Sequence, residues 1–337
     1  MNIQEVLNKV IDKRDLTKDE MVSIMTQIME GQVESSQLGA FLTALRMKGE
    51  SISEIVGAAR VMRNKAERLK LTADYIIDTC GTGGDGADTF NISTAAAFVV
   101  AGSGITVAKH GNRAVSSRSG SADVLKCLGV NIEADKAIVE KCIDEVGIGF
   151  LFAPLMHSAM KHAAGVRKEL GIRTIFNLLG PLTNPAGAHA QVVGLYDPNR
   201  LEQIANVLKQ LGSRHAFVVN GCDGLDEITL TGDTRVCELV KGEIKEYLLH
   251  PDDFGLQTCK PEDLTGGSPE VNAEIVKHIL SGEKGPKRDI VLMNSSMAII
   301  AGGRVDSLEE AIDIARQAID NGSAKKKLND LCKVSHG

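Results

Sequence analysis

"YIIDTCGTGGDGADTFNISTAAAFVVAGSGITVAKHGNR", residues 75–113, decides how this chain is read. Its apolar opening, Tyr75-Ile76-Ile77, predicts a strand, and the glycine run breaks it. A helix is expected to start at Ser93 or Thr94, and Ile105-Thr106-Val107-Ala108 predicts a second strand. Strand, loop, helix, strand is the unit of α/β architecture with a mostly parallel sheet. The alternation continues through Ala216-Phe217-Val218-Val219. Residues 234–244 then alternate around a Lys-Gly-Glu turn, which predicts an antiparallel hairpin.

The glycines invite two familiar readings, and both fail. Gly81-Thr82-Gly83-Gly84-Asp85-Gly86 has the G-x-G-x-x-G spacing, but a dinucleotide fingerprint needs an acid about twenty residues later. Lys109 stands in that region instead. A P-loop needs Lys-Ser/Thr after its last glycine, and Ala87 follows Gly86. What remains is an anion cradle. Tandem glycines let backbone N–H groups approach a ligand, while Asn91, Ser93 and Thr94 put an amide and two hydroxyls at a helix start. The next loop gathers Lys109, Arg113 and Arg118, and Ser119-Gly120-Ser121 opens another helix. Two such units in succession predict a ligand with several phosphates. Farther on, "GCDGLDEITLTG" (221–232) carries Asp223, Asp226 and Glu227. Carboxylates on a glycine turn suit Mg²⁺, which takes few protein ligands beside substrate phosphate oxygens.

Before residue 75 the texture is helical. Met1-Asn2-Ile3-Gln4-Glu5 opens an amphipathic helix and not the basic start of a signal peptide. Thr17-Lys18-Asp19-Glu20 and Ser51-Ile52-Ser53-Glu54 are capping boxes, and Ser36 is expected to cap the helix between them. Met21, Ile24, Met25 and Ile28 share one face before Gly31; Leu38, Phe41, Leu42 and Leu45 share another before Gly49. Near the end, Ser307-Leu308-Glu309-Glu310 is a further capping box, and Lys325-Lys326-Lys327 suits a helix C-terminus.

Composition bounds the function. The 337 residues carry a net charge of −6, which argues against general nucleic-acid or membrane-surface binding. No apolar run is long enough to span a bilayer. Seven cysteines without a CxxC pair fit reduced thiols and a cytoplasmic location, with Cys80 and Cys222 read as small buried filler. No Ser-His-Asp or Cys-His arrangement stands out.

Together, "GTGGD" (81–85), "NIST" (91–94), "KHGNR" (109–113), "SGSAD" (119–123), "GVRKELGIRTIFNLLGPLTNP" (165–185) and "DGLDE" (223–227) resemble the anthranilate phosphoribosyltransferase family over nearly the whole chain. The resemblance implies a small all-helical domain, residues 1–72 completed by about 165–182. It also implies a large α/β domain with a mostly parallel central sheet, residues 73–164 and 183–337. It implies transfer of ribose 5-phosphate from phosphoribosyl pyrophosphate to anthranilate, with Mg²⁺, in tryptophan biosynthesis, by a homodimer joined through the helical domain.

Carried over by motif, Gly81, Gly83, Gly84, Asp85, Thr89, Asn91, Ser93, Thr94, Lys109 and Ser121 would bind phosphoribosyl pyrophosphate. Gly81, His110, Asn112, His157, Arg167 and Gly180 would line the anthranilate site. Arg167 would hold the carboxylate, with Arg173 ranked second. Ser93, Asp226 and Glu227 would hold metal, and Asp223 less so. Two other readings stay open on the residues alone. One is a pyrimidine nucleoside phosphorylase of the same fold, which would not need the Asp226-Glu227 pair. The other is a nucleotide-binding regulator without turnover.

Overall fold

The computed structural model describes residues 2–114 and 119–337; Met1 and Arg118, both named above, lie outside them. Four helices open the chain: α1 Ile3–Ile11, α2 Lys18–Met29, α3 Ser35–Lys48 and α4 Ile52–Lys65. Thr17 with Glu20, and Ser51 with Glu54, make the reciprocal capping bonds. Ser36 does not cap. The Leu38 N–H already bonds the Glu34 carbonyl, so α3 begins at Ser35 and leaves Ser36 inside its first turn. Gly31 and Gly49, with φ of 71° and 87°, follow α2 and α3 in a region most side chains avoid. The expected Met, Ile, Leu and Phe stripes are buried.

Seven strands form one sheet: β1 Ile76–Gly81, β2 Thr106–Gly111, β3 Ile148–Phe152, β4 Ala190–Gly194, β5 His215–Gly221, β6 Thr234–Val240 and β7 Glu243–Leu249. Their order is β3-β2-β1-β4-β5-β6-β7, with the first five parallel and the last two antiparallel. Lys241 and Gly242, at φ 51° and 79°, make the two-residue turn of the predicted hairpin.

Alternation along the strands sends neighbours to opposite cores. Val192, Phe217 and Val219 pack with helix α5, Ile92–Gly102, and with the helix Pro286–Ala301. Val193, Ala216 and Val218 pack with the N-terminal helices. Both faces are therefore covered, as parallel strands require. The second core also holds Ala163 and Val166 of the helix Lys161–Leu170, and Ile175, Phe176 and Leu179 of the helix Ile175–Leu179. Arg63 of α4 reaches into the same junction, donating to the carbonyls of Leu182 at 2.7 Å and Leu211 at 3.2 Å.

The C-terminal lysines are a correction. Gly322, at φ 78°, separates the helices Leu308–Asp320 and Ser323–Val334, so Lys325 to Lys327 open the last helix instead of closing one. Lys327 is held there by the Val146 carbonyl. Ser307 caps its helix through the Glu310 N–H alone.

One irregularity of the sheet positions the site. β1 pairs with β4 as far as Gly81, and β2 pairs with β3 as far as Gly111. Yet β1 and β2 pair with each other only at Ile76–Thr106 and Ile77–Val107. Beyond those residues the sheet splits at its carboxyl edge. The neighbouring crevice, above β1 and β4, is where strand order reverses and α/β sheets commonly bind ligands.

Candidate active site

β1 and β4 end side by side at Gly81 and Gly194. A Cβ at Gly194 would lie 1.6 Å from the Asp226 carbonyl oxygen, and one at Gly81 would lie 2.6 Å from Asp226 Oδ2. The two missing side chains make a slot into which the acidic turn fits. The Gly83 N–H donates to Asp226 Oδ2 at 2.6 Å, and the Asp226 N–H donates to Asp85 Oδ2 at 3.4 Å. Glu227 Oε1 accepts from the Ser93 N–H of α5 at 3.0 Å. Glycine loop, helix start and acidic turn thus form one bonded unit.

Burial drives the Asp226 carboxyl well above the usual carboxylate range, and Glu227 and Asp85 push it further. Burial also raises Glu227, to about 7, against the opposing pull of Lys109 and the Ser93 N–H. Crowded, half-buried carboxylates with too few cations are a fitting place for a hard divalent ion. Among the described residues no three His, Cys, Asp or Glu form a metal cage, so such an ion would complete its shell from ligand oxygens. Asp223 is turned to other work. Its Oδ2 accepts from the hydroxyls of Thr229 and Thr231, each at 2.6 Å, and its Oδ1 from the Leu225 N–H at 3.1 Å.

Lys109 closes the floor from β2. It is buried, and its Nζ donates to the Thr79 carbonyl at 2.6 Å and Ser93 Oγ at 3.4 Å. Burial lowers its pKa and the Asp78 charge opposes that. Helix α5 starts at Ile92, slightly ahead of the expected Ser93 or Thr94, because the Asn91 carbonyl already accepts from the N–H groups of Thr94 and Ala95. The Asn91 side chain does not cap that helix. It donates to the Ser119 carbonyl at 3.1 Å and accepts from Asn272 Nδ2 at 3.0 Å. Thr89 bridges to Thr265, which staples the far side of the glycine loop to a stretch missed in the sequence. Its signal was "TGGSPEVN" (265–272), a glycine turn before a helix N-cap.

Thr94 is buried and, with Lys109, lines a small cavity; its hydroxyl has no partner among the described residues. Ser121 opens helix α6, Ser121–Cys127, and donates to the Asn112 carbonyl at 3.4 Å. Of the expected cation cluster, Arg118 lies outside the described residues, and the other two are engaged separately. Arg113 pairs with Asp123 at 3.4 Å and Glu133 at 3.5 Å and lies over Phe152, and Lys109 is buried apart on the strand. Cys222 is exposed and Cys80 half-buried, so neither is the buried filler expected of them. Burial and Asp78 keep the Cys80 thiol protonated.

Of the residues expected at the anthranilate site, His110, His157 and Gly180 come together. His110 Nδ1 lies 3.2 Å from the Gly180 carbonyl, and its ring meets His157 edge-on at 5.1 Å. A carbonyl can only accept, so Nδ1 carries the proton and Nε2 is left as an acceptor. That Nε2 has no partner among the described residues. Burial and the neighbouring His157 push His110 down to about 3, and burial takes His157 to about 4. Both rings are neutral near pH 7.

The two arginines differ in what they hold. Arg173 donates to the Gly84 carbonyl and lies 3.7 Å over the Tyr196 ring. Arg167 lies 5.1 Å over Phe176, with its pKa lowered by burial and no carboxylate partner among the described residues. Hydrogen bonds join Gly83 and Asp85 to Asp226, and Lys109 through Ser93 to the adjacent Glu227, while His110 bonds Gly180 apart from them.

Comparison with known proteins matches this architecture. Residues 4–66 match the glycosyl transferase family helical bundle domain, and residues 73–325 match its a/b domain. The anthranilate phosphoribosyltransferase of Acetivibrio thermocellus is 53% identical, over 99% of this chain and 97% of that protein. That of Anaeromyxobacter sp. (strain K) is 55% identical, over 98% and 97%. The crystal structure of anthranilate phosphoribosyltransferase from Thermus thermophilus superposes with a TM-score of 0.94 at 43% identity, covering 98% of this chain and 99% of that one. The Saccharomyces cerevisiae enzyme in complex with PRPP and Mg gives 0.92 at 29% identity, covering 99% and 98%. The chain belongs to the anthranilate phosphoribosyltransferase family, within the glycosyl transferases built from a helical bundle and an a/b domain.

Proposed function

We infer that this chain transfers the 5-phosphoribosyl group from phosphoribosyl pyrophosphate to the amino group of anthranilate. The products are N-(5-phosphoribosyl)anthranilate and pyrophosphate, a step of tryptophan biosynthesis. The observation that carries the reading is the bonded unit of Gly83, Ser93, Asp226 and Glu227 at the carboxyl edge of β1 and β4. It sets two half-buried carboxylates beside the glycine loop, where a phosphorylated ligand with its cation would sit. A nucleoside phosphorylase using free phosphate would not need that carboxylate pair.

As pyrophosphate departs, positive charge grows on the ribosyl carbon, so catalysis depends on positioning and on stabilising the leaving group. Gly81, Gly83, Gly84, Asp85 and Thr89 shape the donor side, and Asn91, Ser93, Thr94, Lys109 and Ser121 serve the phosphates. Asp226 and Glu227, with Ser93, would hold Mg²⁺, which when bound offsets the charge of the leaving pyrophosphate. On the acceptor side, the guanidinium of Arg167 suits the anthranilate carboxylate. His110, Asn112, His157 and Gly180 line that pocket, with neutral His110 offering an acceptor nitrogen. Arg173 is engaged by the glycine loop, which supports Arg167 as the clamp.

The helical unit is residues 1–72 completed by about 165–182, and the α/β unit is 73–164 with 183–337; the shared core of Ala163, Val166 and Phe176 with the N-terminal helices supports this. Exposed Ile11 and Met47 support homodimerisation through the helical unit. Free cysteines support a cytoplasmic location, and no described helix is long and apolar enough to cross a membrane. The test is to follow anthranilate fluorescence with phosphoribosyl pyrophosphate, with and without Mg²⁺. A magnesium-dependent loss of signal is expected, and its absence overturns the reading.

A further inference from the structure

Where β1 and β2 part, side chains take over the bonds a ladder would make. Asp78 Oδ1 accepts from the His110 N–H at 3.2 Å. Asn184 Nδ2 donates both to Asp78 Oδ2 and to the Ala108 carbonyl, each at 2.8 Å. Asp78 is fully buried and Asn184 nearly so. Next in register to Asp78 stands Gln191 of β4, whose Nε2 donates to the Pro181 carbonyl at 2.7 Å. The result is a buried polar seam from β2 through β1 to β4, roofed by residues 180–184. That roof supplies the Gly180 carbonyl, which holds the His110 ring.

Such a seam is a costly way to fill a core. The Asp78 carboxylate and the Asn184 amide are tolerated there only while their bonds are made, so the pair admits few alternative arrangements. Its geometry is also one-sided. Asp78, Ala108 and His110 have strand parity opposite to Thr79 and Lys109, whose own bond spans the same split on the α5 side.

We infer that Asp78 and Asn184 are positioning residues for the acceptor half of the site, seating the His110 backbone and the 180–184 segment. This rests on the reading of anthranilate as the acceptor bound beside His110 and Gly180. The pair wedges β1 from β2 and fixes the distance between the His110 ring and the segment that carries Gly180. It contributes no group to either substrate.

The test is steady-state kinetics of Asn184→Ala and Asp78→Asn, with each substrate varied in turn. Asn184→Ala should raise the anthranilate KM by at least about tenfold while the phosphoribosyl pyrophosphate KM stays within about threefold. Asp78→Asn should raise the anthranilate KM further. It should also move the donor KM slightly, because the Asp78 charge is one that holds the Lys109 pKa up. Thermal melts accompany both, and Asn184→Ser, which keeps one donor, should fall between Asn184→Ala and wild type. Equal rises in both KM values overturn the inference, as does a lower melting temperature with neither KM changed. If Asn184→Ala or Asp78→Asn does not fold, Asn184→Ser must still show the selective rise, and its failure to do so overturns the inference. Wild-type protein that fails to consume anthranilate sinks the functional reading instead, so the two failures are distinguishable.

Discussion

Lys109 and His110 are neighbours on β2 that serve different halves of the site. Lys109 reaches Ser93 on the α5 side of the sheet, and His110 reaches the Gly180 carbonyl on the side of the N-terminal helices. Burial acts on both surroundings and favours loss of charge in each. On the Lys109 side it raises Asp226 and Glu227, and the crowding of like charge leaves room for a cation. On the His110 side it keeps two imidazoles neutral. In the proposed reading, one half takes the polyanion with its metal and the other the small aromatic carboxylate.

The sharpest way to break this division is at the slot beneath Asp226. Gly194→Ala drives a Cβ into backbone, which cannot swing aside as a side chain would. Activity should fall by about 100-fold or more, and stability by about 3 kcal/mol in urea unfolding. Activity within threefold of wild type would mean that the slot is not needed.

Next come the two arginines. Arg167→Ala should raise the anthranilate KM about 10- to 150-fold, equivalent to about 1.5–3 kcal/mol for a charge-assisted contact, and leave the donor KM nearly unchanged. Arg173→Ala should show the reverse preference, because Arg173 holds the Gly84 carbonyl. Identical kinetic patterns in the two variants would erase the distinction between the halves.

A smaller effect separates the acidic residues. Asp226→Asn should move the midpoint of a magnesium titration upward by about tenfold. Asp223→Asn should leave that midpoint in place and cost about 1 kcal/mol of stability, since Asp223 ties Thr229, Thr231 and Leu225 together. A shifted midpoint for Asp223→Asn would return it to the metal site.

The mildest test is pH. The folded-state pKa of His157 is depressed from 6.5 to about 4, so the unfolded chain takes up a proton that the folded chain refuses. Stability should therefore fall as pH drops from about 6.5 toward 4, by up to about 1.4 kcal/mol per pH unit for that ring. His157→Gln should make the slope between pH 6.5 and 4.5 shallower in equilibrium unfolding. An unaltered slope would show that His157 is not held neutral.

Much of this was legible in the sequence because it is local. The Thr17 and Ser51 boxes close within one turn, and the β6–β7 hairpin turns on two residues. The glycine loop and acidic turn were visible as chemistry, though not as one unit, since Gly83 and Asp226 are 143 residues apart. Asp78, Asn184, Gly194 and Asn272 went unread for the same reason. Their partners are chosen by the fold, and an Asp in a strand or an Asn before proline carries no local sign of them. Arg113 is the opposite case. Nothing in the sequence showed that Asp123 and Glu133 would neutralise Arg113.

The alternation at Lys109 and His110 has a consequence for how this protein can change. Substitutions alter one substrate's surroundings at a time, because each residue looks to one side. A single-residue insertion or deletion within β2 is different, for it exchanges every side chain between the two faces. It would exchange the places of Lys109 and His110 in one stroke. On the proposed reading, side chains along this strand can change singly, but its length from Thr106 to Gly111 is set by the need to keep two substrates on opposite sides of one sheet.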